Sequence, residues 1–212
     1  MFTSSLMRRG NVDLPDFSDM RIMMMPLVLG DLGSVPPMLD SWRGAISDFF
    51  KMSEGYHGQV GYLTIDEKLL AAGDTTRRSG LHVDGVYRDG AGAWGGGGWG
   101  SVVTGMLTAS SHVGCRAWDQ KFAGWPGEEG DCSHLGDECK PEACIVFEPG
   151  EVWWLSGLCV HESIPMETET KRQFVRLSMP STGPWFDGYT VNPMGVLPTG
   201  PILPRRIFMG AV

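Results

Sequence analysis

No apolar run in this chain is long enough to cross a bilayer. The longest, Ile22 to Leu29, is interrupted by Pro26 and falls far short of the ~20 residues a membrane helix requires. An excess of positive charge is missing too. The net charge is −8 and the pI near 5.0, a balance that repels phosphate backbones, so neither a membrane nor a nucleic acid is an expected partner. Arg8 and Arg9 lead into Gly10-Asn11-Val12-Asp13, without an apolar stretch or a small-residue cleavage site, and this predicts no secretory signal. The five cysteines are an odd number with no Cys-x2-Cys pair. Free thiols in a reducing, cytoplasmic setting are expected rather than a disulfide framework. No repeat of fixed period is present. The glycine run between Trp94 and Trp99 lacks the Gly-Lys-Ser/Thr ending of a phosphate-binding loop.

What is present suits a folded, soluble domain. Of 212 residues, 42% are hydrophobic and 20% charged, enough apolar material for one sizeable core, and a single domain over 1–212 is expected. Ile22 to Leu29 reads as a buried strand ending at Gly30-Asp31-Leu32-Gly33. Pro36-Pro37 opens a helix from Met38 to Met52, whose apolar positions Leu39, Trp42, Ile46, Phe49 and Phe50 recur at helical spacing. Beyond Gly58 the texture changes to short segments cut by glycine, proline and aspartate. These are Val60 to Ile65, Gly80 to Val86, Ser101 to Ala109, Ala143 to Phe147, Glu151 to Leu155, Leu158 to Glu162 and Gln173 to Met179. Arg116 to Pro141 reads as irregular. The expected fold is mainly β with an N-terminal helix, an α+β arrangement in which 1–57 is a helical or irregular support, 58–180 a jelly-roll core and 181–212 a C-terminal extension.

One constellation carries chemistry. His82 and Asp84 in Leu81-His82-Val83-Asp84-Gly85 are two residues apart, so on a strand both project from one face. The segment Glu148-Pro149-Gly150-Glu151, a turn at Ser156-Gly157, and Leu158-Cys159-Val160-His161 read as a hairpin whose return strand supplies His161. Two neutral imidazoles and one carboxylate leave three cis positions of an octahedral iron(II) open for a bidentate co-substrate and dioxygen. Downstream, Arg172, Phe174, Arg176 and Ser178 share one face of a strand. A guanidinium there can grip a distal carboxylate with both arms, and Ser178 can add a hydrogen bond.

The order His82-x-Asp84, then His161, then Arg176-x-Ser178, across about Leu81 to Met179, resembles the superfamily of 2-oxoglutarate and iron(II)-dependent dioxygenases. The resemblance implies a double-stranded β-helix core (a cupin-like jelly roll) and a metal held by His82, Asp84 and His161. It further implies 2-oxoglutarate and dioxygen as co-substrates, with 2-oxoglutarate anchored by Arg176, favoured here for its Arg-x-Ser context, or by Arg172, which has the other spacing found in the superfamily, eleven residues after His161. The implied reaction is oxidation of an unactivated C–H bond, with release of succinate and carbon dioxide. Asp84 stands where halide-transferring relatives have a small residue, which favours hydroxylation or a related oxidation over halogenation.

Several features carry two readings each. Cys132, His134, Cys139 and Cys144 are zinc-compatible ligands, or free thiols and a histidine in a surface insertion. The Trp94–Trp99 run is a lid over the site or a plain linker. Arg77, Arg78 and Arg88 draw an anionic substrate toward the site or are solvated surface charge, and His57 and His112 are structural. As to function, the leading expectation is an oxygenase of a small-molecule or amino-acid-like substrate. A protein or peptide hydroxylase of the same superfamily is the first alternative, and a non-catalytic β-barrel binding module the second.

Overall fold

The computed structural model describes residues 1–75, 78–84, 105–127, 130–181 and 183–204. Among these, strands predominate. The main sheet has six strands in the order β2 (Leu6–Asn11), β9 (Glu151–Leu155), β5 (Met106–Ser110), β11 (Thr170–Ser178), β4 (Val60–Leu70) and β3 (Arg21–Val28), every neighbour antiparallel. A smaller antiparallel sheet joins β10 (His161–Ser163), β6 (Cys115–Trp118) and β8 (Cys144–Val146). Two further pairs are β1 (Phe2–Ser4) with β7 (Gln120–Phe122), and β12 (Trp185–Phe186) with β13 (Ile202–Leu203). The described protein is thus mostly β, its sheets antiparallel apart from the parallel pair β12–β13, with few helices. No helix among the described residues is long and apolar enough to cross a membrane.

The period-two alternation of the main sheet divides its side chains between two jobs. Leu63 and Ile65 on β4, Leu107 and Ala109 on β5, Val152 on β9, and Val175 and Leu177 on β11 turn to one face. There they pack against α1 (Arg43–Met52), which buries Ala45, Ile46, Phe49 and Phe50 at helical spacing. The opposite face carries Met106, Thr108, Leu155, Arg172, Phe174 and Arg176, which look toward the smaller sheet across a pocket.

The predicted helix over Met38–Met52 divides in two. Pro37–Trp42 is a 3-10 segment in which Leu39 leaves helical geometry, and only Arg43–Met52 is α-helical. The support expected over 1–57 contains, besides the predicted strand over Ile22–Leu29, which is β3, two strands that were not predicted, β1 and β2. β1, three residues long, has no pattern of its own and is held by distant partners. Phe2 stacks on Phe122, and Ser4 Oγ donates to the Trp118 carbonyl and accepts from Val160 N. Both open edges of the main sheet are blunted, by charge and a bulge at Arg8/Gly10 on β2 and by Pro26 and a bulge between Ile22 and Met25 on β3.

Two further expectations are corrected. Glu151–Leu155 and Leu158–Glu162 are not arms of a hairpin: β9 bonds β2 and β5 in the main sheet, while β10 bonds β6 in the smaller one. The turn closed by Cys159 N and the Ser156 carbonyl passes the chain between sheets, because the polar backbone of Val160 is engaged by Ser4 Oγ and Trp118 N. Within Arg116–Pro141, read as irregular, lie most of β6, all of β7 and a 3-10 segment at Ser133–Glu138. The C-terminal extension folds back on the sheet. Trp185, Phe186 and Tyr189 bury against Met24 and Tyr62, and Asn192 Nδ2 donates to the carbonyls of Pro26 and Ser34.

Candidate metal centre

His82 and His161 meet through their backbones before their side chains meet. His82 N donates to the His161 carbonyl at 2.9 Å and His161 N to the His82 carbonyl at 3.0 Å, the doubly bonded arrangement of an antiparallel pair. His161 is also opposite Ala117 in β6, so His82 extends the smaller sheet by a single residue beyond β10. The strand expected over Gly80–Val86 is therefore an isolated bridge within its described part, 80–84, flanked on its other side by Asp131. Gly130 makes that flank possible. It has φ +74, its carbonyl accepts from Val83 N, and a Cβ there would stand 2.3 Å from the Val83 carbonyl oxygen.

The pairing brings the two rings to 4.3 Å between centroids. Each Nδ1 faces a backbone carbonyl, Gly80 for His82 at 2.7 Å and Cys159 for His161 at 2.9 Å. An Nδ1–H donating to each would leave each Nε2 lone pair for a third party, the usual way a protein fixes the tautomer of a metal-binding histidine. Asp84 completes the group, with Oδ1 3.9 Å from His82 Nε2 and Oδ2 3.9 Å from His161 Nε2. All three residues are buried, and one ligand atom from each lies within 4.8 Å of the others. No other group of three or more His, Cys, Asp or Glu among the described residues meets that condition.

The donor set fits a divalent cation. Metal–ligand bonds of about 2.1 Å place neighbouring ligands of one ion roughly 3 Å apart and opposite ones roughly 4.2 Å apart, and the 3.9 Å separations of Asp84 from the two imidazoles lie between these, so side-chain adjustments of about 1 Å bring the group onto one ion. Charge fits as well. Burial pushes His82 down to about 3, His161 adds to the shift and Asp84 opposes it, so the imidazole is neutral and available as a ligand at ordinary pH. Asp84, buried beside it, also accepts from Arg176 Nη1 at 2.7 Å.

The pocket in front of the triad takes walls from both sheets. Besides His82, Asp84 and His161 it is lined by Met106, Thr108, Leu155, Phe174, Cys115 and Ser163, with Arg78, Arg172 and Arg176. Arg172 and Arg176, predicted from the spacing, both reach it although each is at most 2% exposed. Arg172 Nε donates to Ser110 Oγ at 2.8 Å, and its guanidinium fills the space where Gly114 has no Cβ. Ser178, on the same face, is buried beyond the pocket and does not line it. Arg78 stands at the pocket with Asp131 3.7 Å away. Arg77, Arg88 and the Trp94–Trp99 run lie outside the described residues.

Cys115 was not singled out by the sequence. It has no motif, and only the pairing of β6 with β10 brings it to the pocket, where burial pushes its thiol up to about 12 against the pull of Arg172. Cys132, His134, Cys139 and Cys144 do not form a metal-binding group: Cys132 and Cys139 bond backbone carbonyls, His134 Nε2 faces the Trp125 carbonyl, and all four residues stand outside the cluster above. Free thiols are what the structure shows for the five cysteines.

No family model matches the chain, and no curated protein matches it. Among solved structures it is similar to one described as the crystal structure of EvdO2 from Micromonospora carbonacea var. aurantiaca complexed with 2-oxoglutarate. The identity is 19%, the match covers 82% of this chain and 76% of that one, and the TM-score is 0.42, a likeness too distant to carry chemistry from one protein to the other.

Proposed function

We propose that this protein is an iron(II)- and 2-oxoglutarate-dependent oxygenase that hydroxylates, or otherwise oxidises, an unactivated C–H bond of a small-molecule or amino-acid-like substrate. The observation that carries the reading is the buried convergence of His82, Asp84 and His161 at the floor of a pocket. Two imidazoles and one carboxylate are the donor set suited to a redox-active iron with open positions. The two antiparallel sheets enclosing the pocket support a double-stranded β-helix as the underlying fold. Bound there, iron(II) supplies dioxygen activation coupled to decarboxylation of 2-oxoglutarate, the hydroxylation balance being R–H, O2 and 2-oxoglutarate to R–OH, succinate and carbon dioxide.

The chain's own residues have separable tasks in this reading. His82 and His161 are held as Nε2 donors by the Gly80 and Cys159 carbonyls. Arg172 is the stronger candidate to grip the distal carboxylate of 2-oxoglutarate, since it enters the pocket oriented by Ser110 and Gly114, whereas Arg176 is engaged by Asp84. Met106, Leu155 and Phe174 give the pocket an apolar wall that limits water around the reacting centre.

Anaerobic titration of iron(II), then 2-oxoglutarate, into the purified protein tests the proposal. A visible charge-transfer band on adding the keto acid, lost in Asp84→Ala, together with succinate release in air, is the expected result. Iron binding without the band moves the protein to an oxygenase with another co-substrate. Absence of iron binding leaves the binding module.

A further inference from the structure

The contact between Arg176 and Asp84 makes chemical sense on its own terms. Asp84 is a buried carboxylate, and a charge at that depth needs a cationic partner. Arg176 supplies one, with Nη1 2.7 Å from Oδ2. Each carboxylate oxygen stands 3.9 Å from one imidazole, Oδ1 from His82 Nε2 and Oδ2 from His161 Nε2, and it is Oδ2 that the Arg176 guanidinium holds.

Arg176 is itself gripped from behind. It sits mid-strand on β11, opposite Thr64 of β4 and Thr108 of β5, and its Nη2 lies 3.4 Å from Met24 Sδ. Met24 is fully buried with φ +50, a left-handed conformation that side chains other than glycine rarely adopt. It is kept there at the β3 bulge by two bonds, Met24 N to Thr64 Oγ1 at 3.2 Å and Trp185 Nε1 to the Met24 carbonyl at 2.8 Å. Strain of this kind persists where surrounding structure over-determines it. Here it seats a thioether behind the guanidinium that faces Asp84.

Resting on the iron-site reading above, we propose that Arg176 is a positioning residue for Asp84. It takes Oδ2 and sets the plane of the carboxylate, so that Asp84 offers the metal Oδ1 and keeps a coordination position open for co-substrates. The co-substrate anchor is then Arg172, and the two arginines, four residues apart on one strand face, do different work.

The experiment is cobalt(II) binding to the full chain by anaerobic titration without 2-oxoglutarate, compared across wild type, Arg176→Gln, Arg176→Lys and Arg172→Gln. Folding is checked by near-ultraviolet circular dichroism. Loss of a partner that orients a metal ligand lowers affinity about 10- to 100-fold. That loss is expected for Arg176→Gln, with an altered cobalt visible spectrum, partial rescue in Arg176→Lys, and wild-type metal affinity in Arg172→Gln. If Arg176→Gln does not fold, the Arg176→Lys affinity decides, an intermediate value supporting the proposal and a wild-type value overturning it. Metal-only binding in folded Arg176→Gln that is unchanged or tighter overturns the proposal, and a second titration, of 2-oxoglutarate into the cobalt-loaded variants, then shows which arginine is the anchor. Wild-type protein that takes up neither cobalt nor iron sinks the iron-site reading itself, a result distinct from any of these.

Discussion

Gly130 governs the candidate site from two bonds away. His82 is held between His161 on one flank and the 130–132 segment on the other, where Val83 N bonds the Gly130 carbonyl and Cys132 N bonds the Leu81 carbonyl. A methyl group at 130 would stand 2.3 Å from a carbonyl oxygen that cannot retreat without breaking this ladder, and the backbone there is already at φ +74. Gly130→Ala is expected to cost about 1–3 kcal/mol, the range for backbone held in a sparsely allowed region, and to weaken metal binding in the folded fraction. Urea unfolding and cobalt(II) titration measure the two effects, and a variant unchanged in both would show that the flank does not hold His82. Arg176 and Arg172 illustrate the opposite situation: identical side chains on one face of one strand, told apart by what each touches, Asp84 for one and Ser110 for the other.

At the scale of elements, the site rests on a sheet whose far side is pinned by one short helix. Phe49 is buried between α1 and the main sheet, so Phe49→Ala should cost about 3–5 kcal/mol by the rule for large aromatic truncations, read from chemical denaturation. The triad belongs to the other face, so metal affinity of the folded protein should hold, and a large loss of affinity would mean that the helix shapes the pocket directly. The strands that lie deep were legible in the sequence because burial writes itself as alternation, as in Gln173–Met179 for β11, and the helix was legible from the spacing of Ile46, Phe49 and Phe50. The triad was legible from its order along the chain. The sheet membership of β9 and β10 was not, since a strand's sequence records which of its faces is buried but not which neighbour takes its hydrogen bonds. β1, β6 and β7 are three or four residues each, too short for any period to show. Cys115, Met106 and Thr108 belong to the pocket only through long-range pairing, so nothing local marked them.

A buried acid, Glu67, ties the N-terminal segment at Ser18 and Met20 to the main sheet. Burial alone pushes Glu67 up, but hydrogen bonds from Met20 N, Gln173 and Ser18 outweigh it and leave the carboxyl below its ordinary 4.5. A native value below the unfolded one means that the unfolded chain takes the proton first. The stability Glu67 contributes is complete above about 4.5 and is lost as pH falls through the native value. Glu67→Gln, which puts an amide where donors converge, should destabilise by about 1–3 kcal/mol at neutral pH and flatten the acid limb of a stability–pH curve built from urea unfolding. An unchanged acid limb would assign it to other carboxylates. The same global view bears on the paired histidines. They are 79 residues apart in sequence and touch through two backbone bonds, so an ion bonded to both closes a loop of that length and acts as a reversible cross-link. An ion that binds the folded chain and is released on unfolding stabilises it by mass action, by about 2.7 kcal/mol at a free concentration of roughly 100 times its dissociation constant. On the proposed reading, metal occupancy would thus stitch two distant parts of the polypeptide together and raise the resistance of the fold to unfolding.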